Sequence, residues 1–207
     1  MIHTIKNYTA AFLPVLLLVA LTACDSPPQL TPLTSDAVIL AFGDSLTHGT
    51  GTDRPQAYPA RLQEMLARTV INAGIPGEVS ATGLARLGNL LKTHRPELLI
   101  LCHGGNDILR HYNLKQTKEN LQQMIDLAKA SNTQVVLIGV PQFGIFLSSA
   151  PFYEELAHSN QLPLENNVLS DILGNNRLKS DQIHPNAEGY EIFAESIAAL
   201  LQQSGAI

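Results

Sequence analysis

Four short stretches hold the residue types from which an acyl-transfer site can be built: AFGDSLTHG (41–49), NAGIPG (72–77), HGGND (103–107) and DQIHP (181–185). Serine is a weak nucleophile unless a base removes its proton. A histidine does this near neutral pH, and an aspartate on its other ring nitrogen fixes the tautomer and stabilises the imidazolium. The oxyanion that develops needs preorganised donors, for which glycine N–H groups and an asparagine amide are suited. Ser45 could offer both its Oγ and its own N–H, and Pro185 disfavours helical geometry at His184, keeping that histidine in an extended loop. Taken alone, each residue has a plainer role: a serine after a strand is commonly a helix cap, and a loop glycine commonly serves a turn.

The elements around these stretches decide whether they meet. VILAF (38–42), TVIN (69–72), LLILC (98–102) and VVLIGV (135–140) are short apolar runs of the kind buried on both faces of a sheet. Amphipathic segments separate them, predicting helices over 58–68, 80–91, 117–130 and 186–203, with a further helix near 151–159 and a short strand near 162–164. Strands alternating with helices imply a mostly parallel sheet covered on both faces, a three-layer α/β/α sandwich. Ligands in such sheets bind outside the carboxyl ends of the strands. GDS, NAGIPG and HGGND each follow a strand there, and DQIHP precedes the last helix.

With all four stretches in order, the chain resembles the GDSL, or SGNH, hydrolase family over 38–201, with a flavodoxin-like fold. Gly43-Asp44-Ser45-Leu46 is similar to the family's first block, Gly77 to its glycine block, Gly104-Gly105-Asn106-Asp107 to its GGND block and Asp181-Gln182-Ile183-His184 to its D-x-x-H block. GLARL (83–87) and the early GGND resemble the periplasmic lysophospholipase, thioesterase and arylesterase branch. The resemblance implies Ser45 as nucleophile, His184 as base and then acid, and Asp181 as its orienter. It implies oxyanion donors at the Ser45 N–H, the Gly77 N–H and the Asn106 amide, with no cofactor and no metal. Gln182 stands where the family usually has glycine, Pro76 stiffens the loop before Gly77, and Gly74 competes with Gly77 as donor if the register shifts.

The amino terminus reads separately. Lys6 precedes an apolar run over 10–20 that is short for a membrane span and has the length of a signal-peptide core. It ends in Leu21-Thr22-Ala23-Cys24, which resembles a bacterial lipobox. We therefore expect a signal peptide over 1–23, a lipidated Cys24 opening a Pro-rich tether over 24–36, and a hydrolase domain over 37–207. Several acyl chains would anchor the protein stably, with the domain in the periplasm and the membrane, inner or outer, left open. A tether in polyproline geometry would hold the domain about 35 Å from that anchor.

Composition narrows the remainder. The chain has 207 residues, 45% hydrophobic, 15% charged, no tryptophan and a net charge of −5. No cluster of Lys and Arg suits a nucleic acid. The resemblance implies an ester substrate, small or lipid, the expected Cys24 anchor implies the membrane, and the chain is expected to act as a monomer. Only Cys102 remains past Cys24, and it reads as a small buried hydrophobe. His48, His103 and His111 match no compact ligand motif, and GTGTDR (49–54) lacks the form of a dinucleotide loop. Asp44 and Asp107 read as residues that fix loops. Residues 145–153 (IFLSSAPFY) are expected to form a lip facing the substrate.

Overall fold

Strand β1 (Val38–Gly43) is apolar without alternation because it lies mid-sheet, between β2 (Thr69–Gly74) and β3 (Leu98–Cys102). Ile39, Leu40, Ala41 and Phe42 are fully buried, as a strand covered on both faces requires. A computed structural model describes residues 28–142 and 147–207. Cys24, the signal segment and residues 145–146 of the expected lip lie outside the described residues.

Outward from β3 run β4 (Gln134–Ile138) and, past a small antiparallel pair of β5 (Pro141–Gln142) with β6 (Ser148–Ser149), the short β7 (Leu164–Glu165). The main sheet has the order β2-β1-β3-β4-β7, every pair parallel. The order reverses at β1, so right-handed crossovers place the helix after β1 on one face and those after β2 and β3 on the other. Accordingly α2 (Tyr58–Leu66) packs against α8 (Ala187–Gln203), with the Tyr58 and Phe193 rings 4.5 Å apart, and α3 (Ser80–His94) packs against α5 (Leu114–Ala130). Two short helices start at strand ends, α1 (Ser45–His48) after β1 and α4 (Gly105–Leu109) after β3. The other two, α6 (Phe152–Asn160) and α7 (Val168–Gly174), flank β7.

Helix ends depart from their sequence-predicted positions where local backbone chemistry intervenes. α2 stops at Leu66 because Ala67 turns left-handed at φ 50°, and α3 runs on to His94 before Arg95 does the same at φ 45°. α5 begins at Leu114 because the Asn113 side chain accepts from the Lys115 and Gln116 N–H groups. α7 carried no sequence expectation. Ala150, Phe152 and Tyr153, expected in the lip, are instead core residues, and the Tyr153 hydroxyl donates to the His103 carbonyl at 2.7 Å.

The Pro-rich segment is not a free spacer from Leu30 on. Leu30 and Leu33 N–H donate to the Ser204 and Ala206 carbonyls, each at 2.8 Å, and the Leu33 side chain is buried. Thr31 N–H donates to Gln134 Oε1 at 2.6 Å while Gln134 Nε2 donates back to the Thr31 carbonyl at 2.9 Å. Thr34 bonds the Glu97 carboxylate through its N–H, at 3.1 Å, and its hydroxyl, and Arg68 Nε donates to the Thr34 carbonyl at 2.9 Å. The packed structure thus begins ahead of the boundary expected at Ala37, because this strap satisfies backbone groups of the chain's own carboxyl terminus.

Candidate active site

At the carboxyl end of β1 the chain turns into α1, and Asp44, not Ser45, is the cap: its Oδ1 accepts from the Leu46 N–H at 3.1 Å. Ser45 is therefore the first helical residue, with Oγ free to face the sheet edge. His184 reaches it from the loop before α8, and Ser45 Oγ lies 3.0 Å from His184 Nε2. On the other side of the ring, Nδ1 is 2.7 Å from Asp181 Oδ2. A carboxylate only accepts, so Nδ1 carries the proton, Nε2 holds the lone pair and the Ser45 hydroxyl donates to it. Asp181 Oδ1 in turn accepts from the Ile183 and His184 N–H groups at 2.8 and 2.9 Å. Burial pushes the Asp181 carboxyl up, but the His184 contact and these N–H donors outweigh it and hold it below its ordinary value.

What lets the two loops meet is a glycine. Gly51 sits at φ +101°, and a Cβ there would come within 2.5 Å of the Pro185 carbonyl oxygen and 2.2 Å of Ser180 Oγ. The Tyr190 hydroxyl closes the junction by donating to the Thr50 carbonyl at 2.9 Å. Gly51 is thus a close-approach point between the Ser45 loop and the His184 loop.

The three expected donors are placed around Ser45 unequally. Asn106 shares a notch with Ser45, Leu46 and Gly105, and its Nδ2 donates to the Glu78 carbonyl at 3.0 Å and to Asp44 Oδ2 at 3.2 Å. A carbonyl oxygen entering the notch would share that amide with Asp44. Burial pushes the Asp44 carboxyl above its ordinary value, against the pull of His103, the Leu46 N–H, Asn106 and His184. Gly77, at φ +76°, belongs to the loop that ends in Glu78, and its carbonyl accepts from Arg110 at 3.0 Å. Among the described residues neither the Ser45 nor the Gly77 N–H has an acceptor. Gly74 is a packing glycine: its N–H donates to Asn72 Oδ1 at 3.0 Å, and a Cβ would sit 2.1 Å from the His48 nitrogen. That removes it as the competing donor.

Behind the notch lies a charged network that sequence reasoning missed. Glu78, nearly buried, faces Arg86 Nε and Nη2 at 2.8 and 2.6 Å and His103 Nε2 at 3.2 Å. His103 is fully buried; its Nδ1 accepts from the Gly104 N–H at 2.9 Å, so the proton is on Nε2 and points at Glu78. Arg86 also donates to the Ala73 carbonyl at 2.8 Å and the Gly43 carbonyl at 3.3 Å, and lies over the Phe42 ring. Arg86 was visible as part of GLARL, but nothing in the sequence paired it with Glu78. Asp107 fixes a loop as expected, accepting from the Ser80 N–H and hydroxyl at 2.8 and 2.7 Å. Cys102 is fully buried. No group of three or more His, Cys, Asp or Glu capable of holding a metal occurs among the described residues.

A groove of about 480 Å³ opens beside the notch, and the two share Leu109 and Ile183. Its walls carry Ile108, Leu114 and Tyr112, the last half exposed, with Gln142 and Gln182 at the polar side. Gln182 therefore stands on the groove, where a glycine would leave the rim open.

A parallel sheet carrying this serine–histidine pair at its carboxyl edge defines an α/β serine ester hydrolase. The chain belongs to the GDSL-like lipase/acylhydrolase family, which residues 41–192 match. It is 33% identical over 172 residues to thioesterase 1/protease 1/lysophospholipase L1 of Escherichia coli K12, covering 79% of this chain and 83% of that one. It is 33% identical over 171 residues to an arylesterase of Vibrio mimicus, covering 77% and 86%. The fold superposes on a psychrotrophic esterase of Pseudoalteromonas sp., whose structure was solved inhibited by monoethylphosphonate, with a TM-score of 0.72 at 25% identity over 81% of this chain and 98% of that one.

Proposed function

We propose that this protein hydrolyses carboxylic esters or thioesters through an acyl-enzyme on Ser45, and that it works at the cell envelope, tethered by an acylated Cys24. One observation carries the hydrolytic reading: the line Ser45 Oγ–His184 Nε2–Nδ1–Asp181 Oδ2, with contacts of 3.0 and 2.7 Å; the tether rests on the sequence around Cys24. His184 Nε2 takes the hydroxyl proton as Oγ bonds to the acyl carbon, and Asp181 stabilises the imidazolium. The oxyanion is received by the Ser45 and Gly77 N–H groups and the Asn106 amide. As the tetrahedral centre collapses, His184 returns its proton to the departing alcohol or thiol. Water, deprotonated by the same nitrogen, then attacks the acyl carbon and releases the acid, and Oγ regains its proton.

The shared groove gives an apolar chain somewhere to lie, with Leu109 beside the notch and Leu114 and Tyr112 farther out. This favours aryl or acyl esters, the chemistry named for the arylesterase and thioesterase relatives. A second reading, removal of O-acetyl groups from envelope carbohydrate, draws on the small size of the notch itself, about 30 Å³.

Purified protein assayed on p-nitrophenyl esters of increasing acyl length, with thioesters and lysophospholipids alongside, tests the reading. Ser45→Ala should lose about 10⁴-fold or more in kcat and stop reacting with a fluorophosphonate probe. Undiminished hydrolysis by that variant overturns it. Turnover confined to acetyl esters favours the second reading over the first.

A further inference from the structure

The chain enters its fold on the edge opposite the site. Ser45 follows the carboxyl end of β1, while the strap over 30–34 touches the residues that open or precede the strands: Gln134 of β4, Glu97 before β3 and Arg68 before β2. Farther back, Pro28 borders a hollow shared with Leu162, Pro163 and Leu164 at the start of β7. The strap thus crosses the amino ends of β7, β4 and β3 before the chain turns into β1. Six residues of β1 separate that edge from the site, about 20 Å at strand rise.

We propose that this strap turns the mouth of the site away from the membrane holding the anchor, so that the protein takes dissolved esters rather than lipids of its own leaflet. The inference rests on acylation of Cys24 as proposed above. Only three residues, Asp25, Ser26 and Pro27, lie between Cys24 and Pro28, so the four steps reach about 14 Å at full extension. That is shorter than the sheet is tall. With the strap docked, the domain cannot turn over far enough to bring Ser45 to the surface from which it hangs.

The anchor-side edge carries charges of both signs. Lys92 and Arg95, at the end of α3, are exposed, and neither has an ion-pair partner among the described residues. Lys129, exposed near the end of α5, adds a third cation. Against them stand the exposed Asp36 and Asp126 and the carboxylate of Glu97, to which neutral Thr34 donates. In a chain of net charge −5 these three cations and three carboxylates leave this edge close to balanced, so it meets an anionic headgroup layer without the repulsion the net charge would give. The strap also shares its fastening with the carboxyl terminus through Ser204 and Ala206, so the anchor pulls on a joint held by two segments.

The test uses the full acylated chain in phosphatidylethanolamine–phosphatidylglycerol vesicles containing nitroxide lipids. A fluorophore is placed on Gln203→Cys at the anchor edge or on Tyr112→Cys at the mouth; Cys102 is fully buried and does not compete for label. Quenching at position 203 well above that at 112 is expected, and equal or stronger quenching at 112 overturns the orientation. A Gly/Ser insert of about 20 residues after Ser26 spans roughly 25 Å and frees the domain to turn. It should raise hydrolysis of lysophospholipid in the same vesicles about fivefold or more, with soluble-ester hydrolysis unchanged. No rise overturns the proposal. Mass analysis of the amino-terminal peptide separates the two readings: an unacylated Cys24 overturns the anchor and the orientation with it, whereas acylated protein quenched at the mouth overturns the orientation alone.

Discussion

A Cβ built on Gly83 would lie 2.3 Å from Nε2 of His103, so the α3 backbone and the imidazole fit together only because position 83 has no side chain. The imidazole is held there for Glu78, whose carbonyl accepts from the Asn106 amide and whose carboxylate meets His103 and Arg86. The Asn106 side of the site is therefore positioned from behind, through a fully buried histidine.

Gly83→Ala should move His103 off Glu78. Overpacking of this kind costs about 1–3 kcal/mol of stability, read as a lowered thermal midpoint. If the network positions Asn106, kcat should fall while KM for a soluble ester stays near its original value. A loss of stability with kcat intact would make His103 a core residue only.

Arg86→Lys tests the same network from its half-buried end. A lysine cannot present the guanidinium fork that meets both Glu78 oxygens together with the Ala73 and Gly43 carbonyls. Burial pushes the Glu78 carboxyl up, but the His103 hydrogen bond and Arg86 more than offset it, and the net value lies below the ordinary one. A depressed carboxyl contributes stability that is fully present above its unfolded value, about 4.3, and is lost as pH falls through the folded one. Weakening the Arg86 contact raises the folded value, so that contribution disappears at higher pH. The acid-unfolding midpoint of Arg86→Lys should therefore move up in pH relative to the parent; an unchanged midpoint would sever Arg86 from Glu78.

The sheet and the serine–histidine–aspartate line were legible because they rest on local signals: continuous apolar runs for strands covered on both faces, and polar clusters just past them. LLILC became β3 over its full predicted length, since Pro96 and the glycines of HGGND bound it on both sides. Residues 142–180 were harder, because β7 has two residues and α7 seven, too short to show a period. The Glu78–Arg86–His103 network was invisible for a different reason. Glu78 looks like an ordinary loop acid, and only tertiary folding brings it to an arginine eight positions on and a histidine twenty-five positions on. The docking of the strap has no sequence signal, because Pro-rich composition reports backbone stiffness and says nothing about whether a surface waits to receive Leu33.

Gly77→Ala and Gly74→Ala form a pair that separates donor from packing. At Gly77 a Cβ would meet only Arg110 Nη2, at 3.7 Å, so the cost is the positive φ of 76°, on the order of 1–2 kcal/mol. At Gly74 the Cβ would strike the His48 backbone at 2.1 Å, and something in β2 or α1 must shift. The expected result is a milder loss of stability for Gly77→Ala, with kcat reduced about tenfold or more by a displaced donor. Gly74→Ala should unfold at lower denaturant. Full activity in Gly77→Ala would remove that N–H from the oxyanion site.

Gly51→Ala addresses the distance between nucleophile and base. Gly51 lies outside the Ser45–His184–Asp181 line, yet its missing side chain is what lets the Pro185 carbonyl and Ser180 approach the Ser45 loop. A methyl there must push the DQIHP loop outward, because the backbone oxygen of Pro185, unlike a flexible side-chain tip, cannot swing aside. The Asp181–His184 contact is internal to that loop and should survive the shift, as should its N–H bonds. What lengthens is the 3.0 Å contact between His184 Nε2 and Ser45 Oγ. A displacement of about 1 Å between reacting groups costs on the order of 100-fold in rate, so kcat/KM and the rate of fluorophosphonate labelling should fall together by about that factor. Loss of ester turnover with labelling at the parental rate would show that Ser45 is activated without His184 and that the close approach at Gly51 serves packing alone.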